Sequence, residues 1–324
     1  MKAKLLRSQD VASQLRCPVC RSTLSLQAAS WRCAGAHVHE FPDLSGVPVL
    51  LNPARSVFRA EDFDRNARTT FKAPAAWAVR LGRLLPSPSR DVSASHCQRR
   101  LAVLLAGRPA DRRRVLVVGC GDGSAGYGAL GDVEEARWLE SDVSLAGRAS
   151  VVCDASDLPF ADEQFDLVIC TAVLEHVLEP QRCVDEMRRV LAPDGLIYAT
   201  TPFMQQVHMG EYDFTRFTHA GHRWLLRDFD EIDSGVATGP ASVLVWSVEY
   251  FFLSWTRSVA LRRLIKGGVR LLLGWLTLLD IALARRVAAH DAAGGFYFIG
   301  RRAPQAAMGA RDMIAYYRGA DALK

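Results

Sequence analysis

The sequence predicts an α/β protein built on a seven-stranded sheet, with a small metal-stapled module ahead of it. Three observations carry this expectation. From Val115 onward, short apolar runs alternate with helical stretches, the pattern of a sheet covered by helices on both faces. The first of those runs leads straight into a glycine-rich turn, Gly119-Cys120-Gly121-Asp122-Gly123. Three of the eight cysteines, Cys17, Cys20 and Cys33, fall in the first tenth of the chain.

The 324 residues, 49% of them hydrophobic, can bury one large core or one core plus a small appendage. A formal net charge of +5 neither demands nor excludes an anionic partner such as RNA or a phospholipid surface. The opening MKAKLLRSQDVASQLRC lacks the apolar stretch and cleavage site of a secretory signal, so a cytoplasmic location is expected. In a reducing compartment the clustered cysteines read as metal ligands. Cys97, Cys120, Cys153, Cys170 and Cys183 then read as small core residues.

Residues 1–52 form the expected module, closing on the apolar run Val47 to Leu51. Cys17-Pro18-Val19-Cys20, followed by Cys33 after twelve residues, supplies three thiolates, and His37 or His39 supplies the fourth ligand. Four such ligands close a tetrahedral zinc site, which holds together a module too small for a core of its own. His37 has the Cys-x3-His spacing of a knuckle, whereas His39 opens His39-Glu40-Phe41-Pro42; both stay open at this point.

Residues 53–112, rich in Arg, Ala, Pro and Ser, read as a helical linker that covers the active site. The sheet domain spans 113–302, with strands expected at 115–118, 137–141, 150–153, 165–170, 195–200, 231–236 and 295–300; residues 303–324 are a tail. Residues 241–293 read as an apolar helical insertion before the last strand. Its stretch 241–256 carries only Glu249 as a charge and 271–284 only Asp280, and neither reaches the roughly 20 apolar residues of a membrane span. Between them stand Arg257, Arg262, Arg263, Lys266 and Arg270, a pattern that suits peripheral contact with an anionic leaflet at the inner membrane face. Buried helices or a dimer interface fit the same stretch equally well.

Glycines at the end of the first strand let a ligand approach the backbone where any Cβ would collide, so a nucleotide-type site is expected there. Gly121, Gly123 and Gly126 satisfy GxGxxG, yet the residue that follows the strand directly is Gly119, and counting from it puts Ser124 in the third glycine position. That register argues against a dinucleotide enzyme. Asp142, ending the second strand, suits two ribose hydroxyls, and Asp154, after the third, suits the exocyclic amine of adenine. Glu140 is expected to be a solvated or salt-bridged neighbour of Asp142. The helix after the loop, Ser124 to Leu130, is weakened by Gly126 and Gly128.

Residues 115–202 resemble a type-11 class I methyltransferase domain. The matching runs are VLVVGCGDGS, Asp142-Val143-Ser144, CDASDLPFADEQFDLVIC, TAVLEHV and MRRVLAPDGLIYATTP. The resemblance implies a Rossmann-like methyltransferase sheet binding S-adenosylmethionine. It places the methionine moiety at Gly119, Gly121 and Gly123, the ribose at Asp142, the adenine at Asp154 and Ala155, and a wall at Thr171 and Ala172. Glu175 and His176 match the family's LEH, with His176 as a pocket wall. The N-terminal module is similar to the zinc ribbons of some bacterial methyltransferases, and by that likeness, carried by HEFPDLSGVPVLL, His39 is the ligand.

After the fifth strand, TPFMQQVHMGEYDFTRFTHAGHRWLL sets His208, Tyr212, Asp213, Arg216, His219 and His222 beside the methyl donor. His208 is the expected general base, with Asp213 or Tyr212 as partner. This stretch resembles HxxxYDFxRFT of methyltransferases of surface-polysaccharide synthesis, which implies a small-molecule acceptor, saccharide or lipid-linked. An RNA base methyltransferase that grips RNA with its zinc ribbon is the alternative, and a noncatalytic adenosylmethionine-binding module is a third reading.

Overall fold

Arg114–Val118 (β6) is apolar without alternation, and it lies buried at the middle of the sheet, as a strand covered on both faces must. The computed structural model describes residues 4–63, 85–121, 126–145, 148–305 and 307–323. Strands Arg137–Asp142 (β7) and Phe165–Thr171 (β9) flank β6 in parallel. Val151–Cys153 (β8) continues the parallel sheet beyond β7, and Leu191–Pro202 (β10) continues it beyond β9. Gly295–Arg302 (β12) then runs antiparallel between β10 and Phe229–Thr238 (β11).

Each of the seven expected runs is a strand, but the sheet is mixed and does not stop at seven. Val47–Leu50 (β5) pairs in parallel with the short β8, setting Val49 opposite Val152 and Leu50 opposite Cys153. It brings with it Glu40–Leu44 (β4), Ser30–Cys33 (β3) and Leu24–Gln27 (β2). With Lys4–Leu5 (β1) on β7, the sheet has twelve strands among the described residues. The physical reason is the edge: a three-residue β8 with unpaired backbone groups is covered by the apolar run that ends the N-terminal segment.

That segment shares the core of the main sheet. Leu15, Cys17, Trp31 and Phe41 belong to the same buried cluster as Leu116, Leu139 and Phe160. The Arg21 guanidinium reaches the Leu158 carbonyl and the Glu186 carboxylate, each at 2.7 Å.

Of the expected helical linker, residues 64–84 lie outside the described residues. Its last part is the helix Ala94–Ala106 (α1), which buries Cys97, Leu101 and Leu105 at i, i+4, i+8 against β6 and β7. The helix after the glycine turn is reduced to Gly128–Gly131 (α2), as its glycines foreshadow. Pro180–Val190 (α3) starts on a proline, and His219–Leu225 (α4) is capped by the Thr218 hydroxyl, which accepts from Gly221 N at 3.0 Å.

The insertion folds as Pro240–Leu253 (α5), Val259–Leu273 (α6), a 3-10 segment Gly274–Leu279 and Asp280–Leu283 (α7). Its two isolated acids hold it together. Asp280, fully buried, accepts from the backbone N–H groups of Ala241 and Ser242 at 2.8 and 2.9 Å, capping α5 where Pro240 has no N–H to offer. Glu249 faces Lys266 at 4.0 Å and Arg270 at 3.6 Å across the α5–α6 pair. Among the described residues, no helix is long and apolar enough to cross a membrane.

Candidate active site

The carboxyl ends of the central strands open onto a cavity of about 860 Å³, within the range of small-molecule sites. Gly119 leaves β6 with φ +73°, and a Cβ there would sit 2.3 Å from Cγ2 of Val173, so only glycine fits. Gly121 follows with φ +57°. Gly123 lies outside the described residues.

Asp142 lines the cavity, with Oδ2 accepting from Gly121 N at 2.8 Å and Oδ1 from Ser144 N at 3.0 Å. Burial pushes its carboxyl up against those donors. Glu140 is the salt-bridged neighbour, 2.8 Å from Arg148, and is wholly buried rather than solvated.

Asp154 accepts from Ser156 N at 3.0 Å through Oδ1, and its Oδ2 accepts from the Ser56 hydroxyl at 2.9 Å. Around Ser56, Ala54, Arg55, Val57 and Phe58 at the start of the expected linker line the cavity, although no single residue of this stretch was singled out from sequence. Ala155 lines it as well. Ala172, at φ +54°, lines it beside Val173, whereas Thr171 ends β9 without being among the lining residues.

Another wall comes from the loop after β10, through His208, Met209, Tyr212 and Phe214. Asp213 sits beneath it, nearly closed to solvent. It is gripped by two nitrogens of Arg216, one at 2.9 Å, and accepts from His208 N at 2.8 Å. Burial works against its charge, but these donors outweigh burial and hold Asp213 well below the usual carboxylate range. The His208 ring offers Nδ1 to the same carboxylate at 3.3 Å and to the Gln206 carbonyl at 3.4 Å. Both are acceptors, so Nδ1 carries the proton and Nε2 keeps its lone pair. Burial holds this imidazole below its ordinary pKa.

Tyr212 stacks on Phe58 with ring centroids 5.4 Å apart, and its backbone carbonyl accepts from His176 Nδ1 at 2.7 Å. His176 therefore turns an unprotonated Nε2 toward Glu175 Oε1, 3.7 Å away. Neither oxygen of Glu175 accepts a hydrogen bond, and burial pushes this carboxyl up to about 7. His176 is thus the expected wall, and Glu175 an acid hidden behind it. His219 and His222 do not reach the cavity. α4 buries them against Phe296 and Phe298, and burial pushes them down to about 4 and about 3.

In the N-terminal segment, the donor atoms of Cys17, Cys20, Cys33 and His39 lie within 4.8 Å of one another. His37 is not among them: only its backbone carbonyl approaches Cys33, at 3.4 Å. The β3–β4 pairing decides this, because Cys33 N donates to the His39 carbonyl at 3.1 Å and brings that residue alongside the thiol.

Residues 116–199 match the family model described as "Methyltransferase domain". The chain is 32% identical to a demethylmenaquinone methyltransferase of Clavibacter sepedonicus over 53% of its own length and 77% of that protein. It belongs to the S-adenosylmethionine-dependent methyltransferases. The methyltransferase is also 36% identical to the chloroplastic tocopherol O-methyltransferase of Arabidopsis thaliana, over 31% of its length and 33% of that protein. With the ubiquinone biosynthesis O-methyltransferase of Pseudomonas syringae pv. tomato it shares 34% identity, over 28% of its length and 44% of that protein. Its methyl donor is S-adenosylmethionine.

Proposed function

We propose that the methyltransferase O-methylates a small acceptor, saccharide or lipid-linked, with His208 taking the acceptor's proton. The observation that carries this reading is the chain Arg216–Asp213–His208 at the cavity wall, which fixes the proton on Nδ1 of a neutral imidazole and so leaves Nε2 as the atom able to accept one. The acceptor hydroxyl oxygen attacks the methyl carbon in line. The carbon–sulfur bond breaks with its electron pair going to sulfur, S-adenosylhomocysteine is released, and the hydroxyl proton passes to Nε2. The charged Asp213 then stabilises the imidazolium. Tyr212 serves as an aromatic wall through its stacking on Phe58.

Relatives named for demethylmenaquinone, tocopherol and ubiquinone biosynthesis support a small-molecule acceptor. Against the RNA reading, two of the linker's described arginines are already paired within the protein, Arg55 with Asp157 at 3.0 Å and Arg112 with Asp194 at 2.8 Å.

We further infer that Cys17, Cys20, Cys33 and His39 hold one structural zinc, forming a ribbon with β2 to β4. Zn–S bonds of about 2.3 Å in a tetrahedron give S···S edges of about 3.8 Å. Cys20 and Cys33 stand 3.8 Å apart, and His39 Nδ1 is 3.7 Å from Cys17 and 3.5 Å from Cys33.

The test incubates the full chain and methyl-labelled donor with separated lipid, saccharide and RNA fractions. Label on a hydroxyl in the lipid or saccharide fraction is expected. Label in RNA alone overturns the reading.

A further inference from the structure

The helix pair α5–α6 is inside out. On α6, Arg262, Lys266 and Arg270 face α5: Arg262 donates to the Leu253 and Thr256 carbonyls at 3.0 and 3.3 Å, and the other two meet Glu249. The opposite stripe carries Leu264, Leu271 and Leu272, exposed by 71%, 66% and 69%. They recur at i, i+7, i+8, one face of a helix. On α5 and just past its end, Leu244, Phe251, Phe252 and Trp255 recur at i, i+7, i+8, i+11 and are exposed too, Trp255 by 79%. Exposed apolar surface on this scale marks a face that meets something other than water.

We propose that this face docks on one leaflet of a lipid bilayer, so that the acceptor reaches the cavity from the lipid phase. The proposal rests on the lipid-linked acceptor reading. Two observations select a bilayer over a second copy of the chain. Trp275 gives its indole N–H to the Leu272 carbonyl at 2.8 Å, so burial of that ring in hydrocarbon strands no donor. The face is also continuous with the acceptor loop. Tyr250 donates to the Val207 carbonyl at 3.0 Å and Gln206 to Ser247 at 3.4 Å, directly before His208, and Val207 is itself exposed. A second copy seated here would cover the approach to the base, whereas a leaflet supplies what the cavity consumes.

This alters the charge argument made from sequence. Arg262, Lys266 and Arg270, three of the five basic residues of this stretch, are turned to α5, so less charge is left to attract phosphate and insertion of apolar side chains supplies most of the binding.

The experiment sediments the full-length protein with phosphatidylcholine vesicles, with and without phosphatidylglycerol, and repeats this for Leu264→Gln/Leu271→Gln. Unchanged donor affinity and melting temperature establish that the variant folds. Wild-type binding to both vesicle types that persists in high salt, with about tenfold or greater loss in the variant, is expected. A wild-type chain that stays in the supernatant with both, or a dimer in ultracentrifugation that the double variant splits, overturns the proposal. Vesicle binding with no label in the lipid fraction supports docking and sinks only the acceptor reading. Label in detergent-dispersed lipid without vesicle binding does the reverse.

Discussion

Oε1 of Glu175 lies 3.7 Å from Nε2 of His176, and the far nitrogen of that ring is already committed to the Tyr212 carbonyl. Two lone pairs facing each other in a buried place need a proton between them, and a carboxyl pushed up to about 7 supplies it at neutral pH. The unfolded chain releases the Glu175 proton near its ordinary 4.5, while the folded chain keeps it until about 7. Stability therefore falls as pH rises through that window, by at most about 3 kcal/mol, and levels off above it. Glu175→Gln removes this contribution. Melting curves at pH 5 and pH 8 should show a smaller difference for the variant than for the wild type. Equal differences would mean that Glu175 is ionised throughout.

Asp142→Ala should weaken S-adenosylmethionine binding by a factor of about 10 to 100, since the ribose hydroxyls lose a charged acceptor. The same carboxylate holds Gly121 N at 2.8 Å, so part of the loss comes from a loosened glycine turn. Calorimetry against both the donor and S-adenosylhomocysteine reads this directly. Unchanged affinity would move the ribose to another group.

His208→Ala should lower kcat by about 10² to 10⁴ while leaving donor affinity unaltered, the signature of a lost proton acceptor. Because burial depresses this imidazole from 6.5, the acid limb of the wild-type kcat profile should fall below pH 6.5, with activity rising as His208 loses its proton. A loss smaller than tenfold, or a limb that stays in place in the variant, assigns the proton to a different group.

The ribbon should contain one zinc per chain by elemental analysis of protein purified without added metal. Cys20 is exposed, so Cys20→Ser sacrifices little packing and reports on ligation. It should lower the melting temperature by about 5 °C or more, since the segment shares its core with the main sheet. Less than half an equivalent of metal, with an unaltered melt in the variant, contradicts the assignment.

Features that depend on near neighbours in the chain were legible before any fold was known. Most of the seven strands follow from short apolar runs, Gly119 from the turn that must leave β6, and Asp142 and Asp154 from their places at strand ends. Cys17, Cys20 and Cys33 were legible for the same reason, because spacing along the chain sets which thiols a turn brings together. His39 over His37 was not, since strand pairing between β3 and β4 makes that choice. The same holds for Ser56 on Asp154, for Glu175 behind His176, for β5 as a parallel partner of β8, and for Asp280 capping a helix about forty residues upstream. Each of these rests on a hydrogen bond or desolvation set by which distant segments meet. The inverted α6 shows this most sharply. Its composition reads as a basic amphipathic helix, but Glu249 draws the cations inward and leaves the leucines outside, because a buried carboxylate costs more unpaired than exposed leucines do.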